Sequence, residues 1–325
     1  MEIKDLAGFS EPVTKLIESV SAGIGGIYKP LGTILNAKAE SYKIKKIADA
    51  KEYEIYKIKE SLTNNQGNLC VTDKNFELKL GSNSLESMAL ESLINKQIKN
   101  MVNIDSIVNK AIDLMKDKKE VSDIPVDNDW MYRFINSAQN ISNDEIQNLW
   151  GKLLAGEVSK PNSYSLRTLE VLRNMTTYEA KVFVKIAKLT IDMGVNCIFN
   201  EKEFLNKVGI KDAELDLLKE IGIIKDSRYI TLKSKQHLVF RYKDKAIHLD
   251  NTGIDDLSMI WISPFSSIGE ELFTLIENNE EFDLSYVKKI VDFINFKNKD
   301  VKVSYSDIRW LNEYKYEYSD EKIPL

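Results

Sequence analysis

Residues 129–183 read DWMYRFINSAQNISNDEIQNLWGKLLAGEVSKPNSYSLRTLEVLRNMTTYEAKVF, and this stretch decides the fold of the central part of the chain. Its apolar residues recur at the spacing of amphipathic helices. Side chains that cap helix starts separate these runs, and Gly156 is expected to end one of them. The expected N-caps are Asp127, Ser142 with Glu145, and Thr176 with Glu179. The pattern therefore predicts a compact set of short helices.

Two tryptophans fall on the apolar faces of these predicted helices. Trp130 shares its face with Phe134, and Trp150 lies beside Leu149 and Leu153. A ligand cage is one interpretation, but large aromatic residues on such faces usually fill a core. We expect both tryptophans to be structural.

A polar cluster follows the second of these helices. Glu157 and Arg167 flank a loop, and the loop itself carries Lys160, Asn162, Ser163 and Ser165. Such a cluster could hold a phosphate or a carboxylate ligand. We favour the alternative that these groups cap and bridge adjacent helices at a tight turn, because polar networks at helix ends are common.

The N-terminal segment, residues 6–35, combines helix-forming stretches with residues that interrupt helices. Residues 19–28 carry no charge, and small residues four positions apart within them permit close approach of helices. We single out Gly23, Gly25, Gly26, Pro30 and Gly32. Two interpretations stay open: the segment contacts another chain or a membrane, or it folds back on the helical body with the glycines as turns.

A long helix is predicted from about residue 33 to residue 62, and it contains an internal repeat. AESYKIKKIAD at 39–49 aligns with AKEYEIYKIKE at 50–60. An eleven-residue period keeps one stripe aligned along a nearly straight helix. The stripe includes Ile44, Ile47, Ile55 and Ile58. We expect it to support self-association, with attachment to a membrane surface as the alternative.

The remaining segments complete the expected organisation. Residues 1–62 form the N-terminal part, and residues 63–84 form an irregular connector in which Phe76, Leu78 and Leu80 alternate as in a short strand. A helix from Leu85 to about Lys118 opens a helical core domain, residues 85–176. A C-terminal part, residues 266–325, contains two helices and an aromatic tail of ambiguous structure.

Residues 177–265 are predicted to form a winged-helix-like unit, because three short helices precede a few short strands. The predicted strands are 229–232, 238–242, 246–249 and 258–262. The fold class expected for the whole chain is mainly α, with a long N-terminal helix, a helical core domain, this small α+β unit and C-terminal helices.

The third helix of that unit would be the recognition helix of a DNA-binding winged helix. It carries Asp212, Glu214, Asp216 and Glu220 against Lys211 and Lys219. Four carboxylates oppose an approach to phosphates. We therefore expect protein contacts from this unit, and nucleic-acid binding is not expected.

Composition excludes several classes of protein. The net charge is −5, without blocks of like charge, and Cys70 and Cys197 are too few for a disulfide scaffold or a zinc site. His237 and His248 lack acidic partners at metal-ligand spacing, and we expect them at the surface. Nucleotide-binding, metalloprotease and serine-hydrolase motifs are absent as well. No enzymatic activity, metal or cofactor is expected.

The N-terminal sequence has no signal-peptide pattern, and no stretch is apolar enough to span a bilayer. The expected location is cytoplasmic, or peripheral at the inner face of the membrane.

Three stretches resemble a known bacterial family. Residues 129–183 resemble the core signature of the family called domain of unknown function 2806. GFSEPVTKLIESVSAGIGGIYKP at 8–30 is similar to its N-terminal signature, and ISPFSSIGEELFTLI at 262–276 to a looser C-terminal motif. The resemblance implies little biochemistry, because that family has no established activity. The layout, with a glycine-containing segment before helices, also resembles alpha-type abortive-infection proteins.

The function expected from these features is that of a non-enzymatic, oligomerising protein of bacterial anti-phage defence. Its N-terminal segment would act on a membrane or on a partner protein. The alternative is a soluble adaptor that uses the winged-helix-like unit for protein contacts.

Overall fold

The computed structural model describes residues 10–25, 68–72, 75–79, 85–118, 120–253, 257–276, 282–297, 299–310 and 316–325. The chain divides into two compact units, Met1–Arg173 and Asn174–Leu325. The described elements of the first unit are α1 (Glu11–Ile24), β1 (Asn68–Thr72), β2 (Asn75–Lys79), α2 (Leu85–Met115), α3 (Asn128–Ala138), α4 (Asp144–Ser159) and α5 (Leu166–Asn174).

Helix α1 packs on α3 and α4 through a continuous apolar face. Proline in its first turn suits a helix start, and Gly25 ends it in the left-handed conformation. The face comprises Val13, Leu16, Ile17 and Val20, all buried. Helix α1 is therefore part of the core of the first unit.

The two halves of helix α2 differ in how far their apolar side chains are buried. Its second half packs on α4 and buries Ile104, Ile107, Val108, Ala111, Ile112 and Met115. Its first half instead leaves Leu85, Met88 and Leu93 in solvent. The antiparallel pair β1 and β2 precedes it, so strand structure is present in the predicted connector.

Two of the expected helix boundaries are confirmed, and two are wrong. The Asp127 side chain accepts a hydrogen bond from the Trp130 N–H at 2.8 Å, and Thr176 with Glu179 forms a capping box. The cap of α4 is Asn143 rather than Ser142, because the Asn143 side chain reaches the N–H of the third helical residue. That helix also runs past Gly156, because glycine lowers helix stability without forcing an end.

Aromatic residues of α3 and α4 form the centre of the first unit's core. The rings of Trp130 and Phe134 lie 5.3 Å apart, and those of Phe134 and Trp150 lie 5.2 Å apart. Trp130 Nε1 donates to the Tyr164 carbonyl at 2.8 Å, whereas the fully buried Trp150 Nε1 has no hydrogen-bond partner among the described atoms.

The second unit is built around a sheet. Its described helices are α6 (Thr177–Ala187), α7 (Lys202–Val208), α8 (Asp212–Glu220), α9 (Ser267–Phe273) and α10 (Leu284–Lys297). Its strands are β3 (Ile191–Asp192), β4 (Asn196–Phe199), β5 (Arg228–Leu232), β6 (His237–Tyr242), β7 (Lys245–Asn251), β8 (Leu257–Pro264), β9 (Val301–Trp310), β10 (Tyr316–Tyr318) and β11 (Ile323–Pro324).

All nine described strands of this unit join one antiparallel sheet. The order is β10-β9-β7-β6-β3-β4-β8-β5, and β11 also pairs with β9. One face of β6, β7 and β9 packs with α10 in a core that includes Phe240, Ile247, Val303, Tyr286 and Ile290. Because most residues of β7 are buried on both of its faces, it is the central strand of this region.

The mainly α fold class with a small winged-helix-like unit is therefore wrong. The predicted strands exist, but they do not form a wing. The unpredicted β3 and β4 connect β6 to β8, and the aromatic tail of ambiguous structure supplies β9, β10 and β11. Local order along the chain resembled a winged helix, whereas pairing between distant strands decided the architecture.

The two tryptophans give a stability prediction. Trp150→Ala should lower the free energy of unfolding by roughly 3–5 kcal/mol, as large core truncations do. Trp150→Phe should lower the free energy of unfolding less than Trp130→Phe does. Only the second change removes the hydrogen bond from the Trp130 ring to the buried Tyr164 carbonyl, and that loss should cost about 1–3 kcal/mol. Urea titration of the three variants measures the order. Equal losses for the two Phe variants would show that the Trp130 hydrogen bond contributes nothing.

Candidate functional site

The polar cluster predicted at the end of α4 is a closed structural turn. Glu157 is buried, and its Oε1 accepts a hydrogen bond from the Asn162 N–H at 2.7 Å. Its Oε2 accepts from the N–H groups of Ser163 and Tyr164, both at 3.0 Å. A buried carboxylate with backbone donors is well satisfied. Three donors that could have met an anionic ligand are thus already in use.

Features other than the carboxylate also fix the conformation of this turn. Asn162 adopts a positive φ of 70°, which asparagine tolerates. The Tyr164 ring covers Gly156 so closely that a Cβ there would lie 2.7 Å from it. Arg167, at the start of α5, is exposed and has no hydrogen bond or ion pair with the described residues. The structure therefore brings Glu157 together with the loop, but not with Arg167.

Two of the singled-out glycines have intrachain roles. A Cβ on Gly23 would lie 2.4 Å from Met131 Cγ, so this glycine lets α1 approach α3 closely. Gly25 has a φ of 73° and forms the C-cap of α1. These two residues fit the folded-back interpretation of the segment. The other singled-out residues lie outside the described residues: Gly26, Pro30, Gly32, Ile44, Ile47, Ile55 and Ile58.

One polar array in the second unit involves both histidines. Asp250 Oδ1 lies 2.5 Å from His237 Nδ1, and His237 Nε2 lies 3.3 Å from His248 Nδ1. His248 Nε2 in turn lies 2.8 Å from Ser306 Oγ. The array connects β6, β7 and β9, and the Tyr318 ring packs against His248. It forms a continuous chain of hydrogen bonds across three strands.

The surface location predicted for the histidines is wrong for His248, which is fully buried. His237 does have an acidic neighbour that sequence spacing did not indicate, because it pairs directly with Asp250 across the β6–β7 hairpin. A two-residue turn at Lys243 and Asp244 sets this register, and locating that turn in the sequence would have revealed the pair.

The chemistry of this array is structural. Ser306 is 1% exposed, so no substrate reaches its hydroxyl from solvent. Burial, followed by the charges of Lys322 and His237, lowers the pKa of His248 to about 4, although Asp250 opposes the shift. His248 is therefore neutral at pH 7 and joins strands by hydrogen bonds. Burial also raises the pKa of the Cys197 thiol to about 12, which makes it unreactive.

The acidic helix α8 is partly anchored rather than free. Burial opposes ionisation of Glu214, but hydrogen bonds from the Lys185 ammonium group and the Lys211 N–H outweigh it and lower the pKa of Glu214. The Lys185 Nζ contacts both carboxylate oxygens, at 2.9 and 2.8 Å. This carboxylate fixes α8 on α6.

In the part of the chain that the structure describes, no group of three or more histidine, cysteine or acidic side chains is placed to hold a metal ion. Among the described helices, none has the length and apolarity required to cross a bilayer.

Comparison with known proteins gives one result. The profile of a family described as "Protein of unknown function (DUF2806)" matches residues 89–291, more than half of the chain. This match confirms the family resemblance of the central sequence. No curated protein and no solved structure matches the chain.

The buried carboxylate gives a second prediction. Glu157→Gln keeps the shape but places an amide NH₂ opposite a backbone donor, so it should cost about 1–3 kcal/mol of stability. Arg167→Ala is the control and should change stability by less than about 0.5 kcal/mol, because that side chain is exposed. Thermal or urea unfolding tests both. A stable Glu157→Gln variant would contradict the structural role of the carboxylate.

The buried histidine gives a pH prediction. The unfolded chain protonates His248 near pH 6.5, whereas the folded chain does so only near pH 4. Stability should therefore fall between these pH values as the pH decreases, by up to about 3 kcal/mol from this group. His248→Gln should flatten that slope in urea titrations at several pH values. An unchanged slope would assign the pH dependence to other groups.

Proposed function

We propose that this chain, which belongs to the DUF2806 family of proteins of unknown function, is a non-enzymatic protein that acts by self-association. The observation that carries the proposal is the exposed apolar face in the first half of α2. Leu85, Met88 and Leu93 are 84%, 61% and 49% exposed. Burying each such side chain stabilises a complex by roughly 1.5–3 kcal/mol.

A second copy of the chain is the partner that this face suits best. The sequence of the segment carries Glu86 and Glu91 before Lys96 and Lys99. Two such helices in antiparallel orientation bring the acidic end of each beside the basic end of the other. A self-complementary arrangement of this kind is typical of two-fold symmetric dimers.

The eleven-residue repeat at 39–60 supports the same proposal from the sequence. Its isoleucine stripe precedes α2 in the chain, so two apolar stripes occur in the same third of the protein. The polar arrays that might have suggested catalysis have structural partners instead. We place the protein in the cytoplasm or at the inner face of the membrane.

The biological setting in this proposal is bacterial anti-phage defence, with the N-terminal segment acting on a membrane or on a partner protein. Its support is the layout shared with alpha-type abortive-infection proteins, which is an analogy of arrangement. Plating efficiency of phages on cells with and without the protein tests the setting separately from the assembly.

Self-association predicts a specific loss on mutation. Met88→Asp with Leu93→Asp should convert the assembled protein to a monomer, because the charges would be buried at the contact. The circular-dichroism spectrum should stay that of a folded chain, since both side chains are exposed within one chain. Tyr132→Asp on α3, where the tyrosine is 62% exposed, is the matched control and should leave assembly intact. Light scattering after gel filtration gives the mass.

Two outcomes would contradict the proposal. One is a wild-type protein that stays monomeric at every concentration tested. The other is a doubly substituted protein that assembles as the wild type does. If Ile44→Asp with Ile55→Asp alone abolished assembly, the repeat rather than α2 would form the contact.

A further inference from the structure

Strand β5 lies at one end of the sheet in the second unit. Within the described part of the chain it pairs only with β8, so no strand occupies its other side, although the Leu232 carbonyl at its end accepts a hydrogen bond from the Asn251 side chain. The strand contains no proline, and Arg228, Tyr229 and Thr231 are exposed. An open edge of this kind can accept an added strand from another chain.

An aromatic pair stands beside that edge. Tyr229 on β5 pairs directly with Trp261 on β8, and their rings lie 5.7 Å apart in an edge-to-face arrangement. The two residues are 56% and 40% exposed. Exposed tyrosine and tryptophan are the residues that most often dominate the energy of protein interfaces.

The backbone around Trp261 is held in place before any partner binds. The Asn200 N–H donates to the Trp261 carbonyl at 2.8 Å, and the Trp261 N–H donates to Glu201 Oε1 at 3.2 Å. That carboxylate also accepts from Lys297 Nζ at 3.0 Å. A fixed aromatic anchor loses little conformational entropy on binding.

The edge is positively charged in a protein whose net charge is −5. Residues 225–235 carry four basic residues, Lys225, Arg228, Lys233 and Lys235, against the single acidic residue Asp226. All four basic residues are exposed, and none forms an ion pair with the described residues. The charge is therefore available to a partner.

We propose that β5 binds an extended acidic segment of a partner protein by strand addition. The segment's backbone pairs with the open edge, and an apolar side chain packs on Tyr229 and Trp261. Its carboxylates lie near Arg228 and Lys233. This inference is independent of self-association through α2.

The charges also decide against two other occupants. A second copy of β5 would bring the same basic residues against each other, which is unfavourable. Single-stranded nucleic acid binds by stacking successive bases on aromatic platforms. Here the two rings are inclined at 72°, so one ring edge meets the other ring, and the open amide groups of the strand would stay unpaired.

The experiment uses the full chain and labelled synthetic peptides of about eight residues, the length of a strand. The first alternates Glu with Val and has one central Phe. The second replaces each Glu with Lys, and the third replaces each Val with Pro to remove backbone donors. Oligothymidine is the nucleic-acid probe. Fluorescence anisotropy should show binding of the first peptide at least about tenfold tighter than that of the others, and weaker at high salt.

Variants locate the site. Arg228→Glu with Lys233→Glu, and separately Tyr229→Ala, should each weaken binding about tenfold or more. Lys207→Glu and Tyr178→Ala, which change an exposed lysine and an exposed tyrosine elsewhere in this unit, should leave it unchanged. Unaltered melting shows that each variant is folded.

Three results would overturn the proposal. In the first, the acidic peptide does not bind, and the charged edge then serves only to prevent aggregation. The lysine or proline peptide binds equally well, which removes the roles of charge or strand addition. Oligothymidine binds more tightly than the acidic peptide, which makes the edge a nucleic-acid surface.

Discussion

The buried carboxylate of Glu157 is the constraint on which the first unit depends. The 160–165 turn directs three backbone N–H groups at one side chain, and the Glu157 carboxylate accepts all three. The turn then presents the Tyr164 carbonyl to Trp130, whose ring stacks on Phe134 and so reaches Trp150. A polar contact at a loop thereby fixes the aromatic core between α3 and α4. The same contact explains why three backbone donors of a stretch rich in phosphate-binding residue types are not available to an anion.

Helix starts could be predicted from sequence because a cap acts within three residues. Asp127 and Thr176 cap as expected, and the error at Ser142 is a shift of one residue to Asn143. The sheet could not be predicted in the same way, because its strands pair across long separations. Lys245 on β7 lies opposite Asp307 on β9, for example, and nothing local to either residue indicates the other. Short strands were therefore identified while their common sheet was missed.

Candidate site residues follow the same rule: contacts with nearby residues could be predicted from sequence, and contacts with distant residues could not. Glu157 was correctly interpreted as a bridging group because its partners lie in the next few residues. The histidines were misplaced because the environment of His248 is supplied by Ser306 and Tyr318, from the end of the chain. The basic and aromatic edge of β5 has a sequence signal in its four basic residues. Its meaning, however, depends on Trp261, which only strand pairing brings beside Tyr229.

The position of β9 in the sheet has a consequence for how the protein is made. Strand β7 needs β9 along its whole length, yet the ribosome completes β6 and β7 well before β9 emerges. Until then β7 has one unpaired edge and His248 is uncovered, a state in which the nascent chain can misassemble with other chains. The family match ends at residue 291, before β9 begins. Translation must therefore reach β9 before β7 can pair along both of its edges.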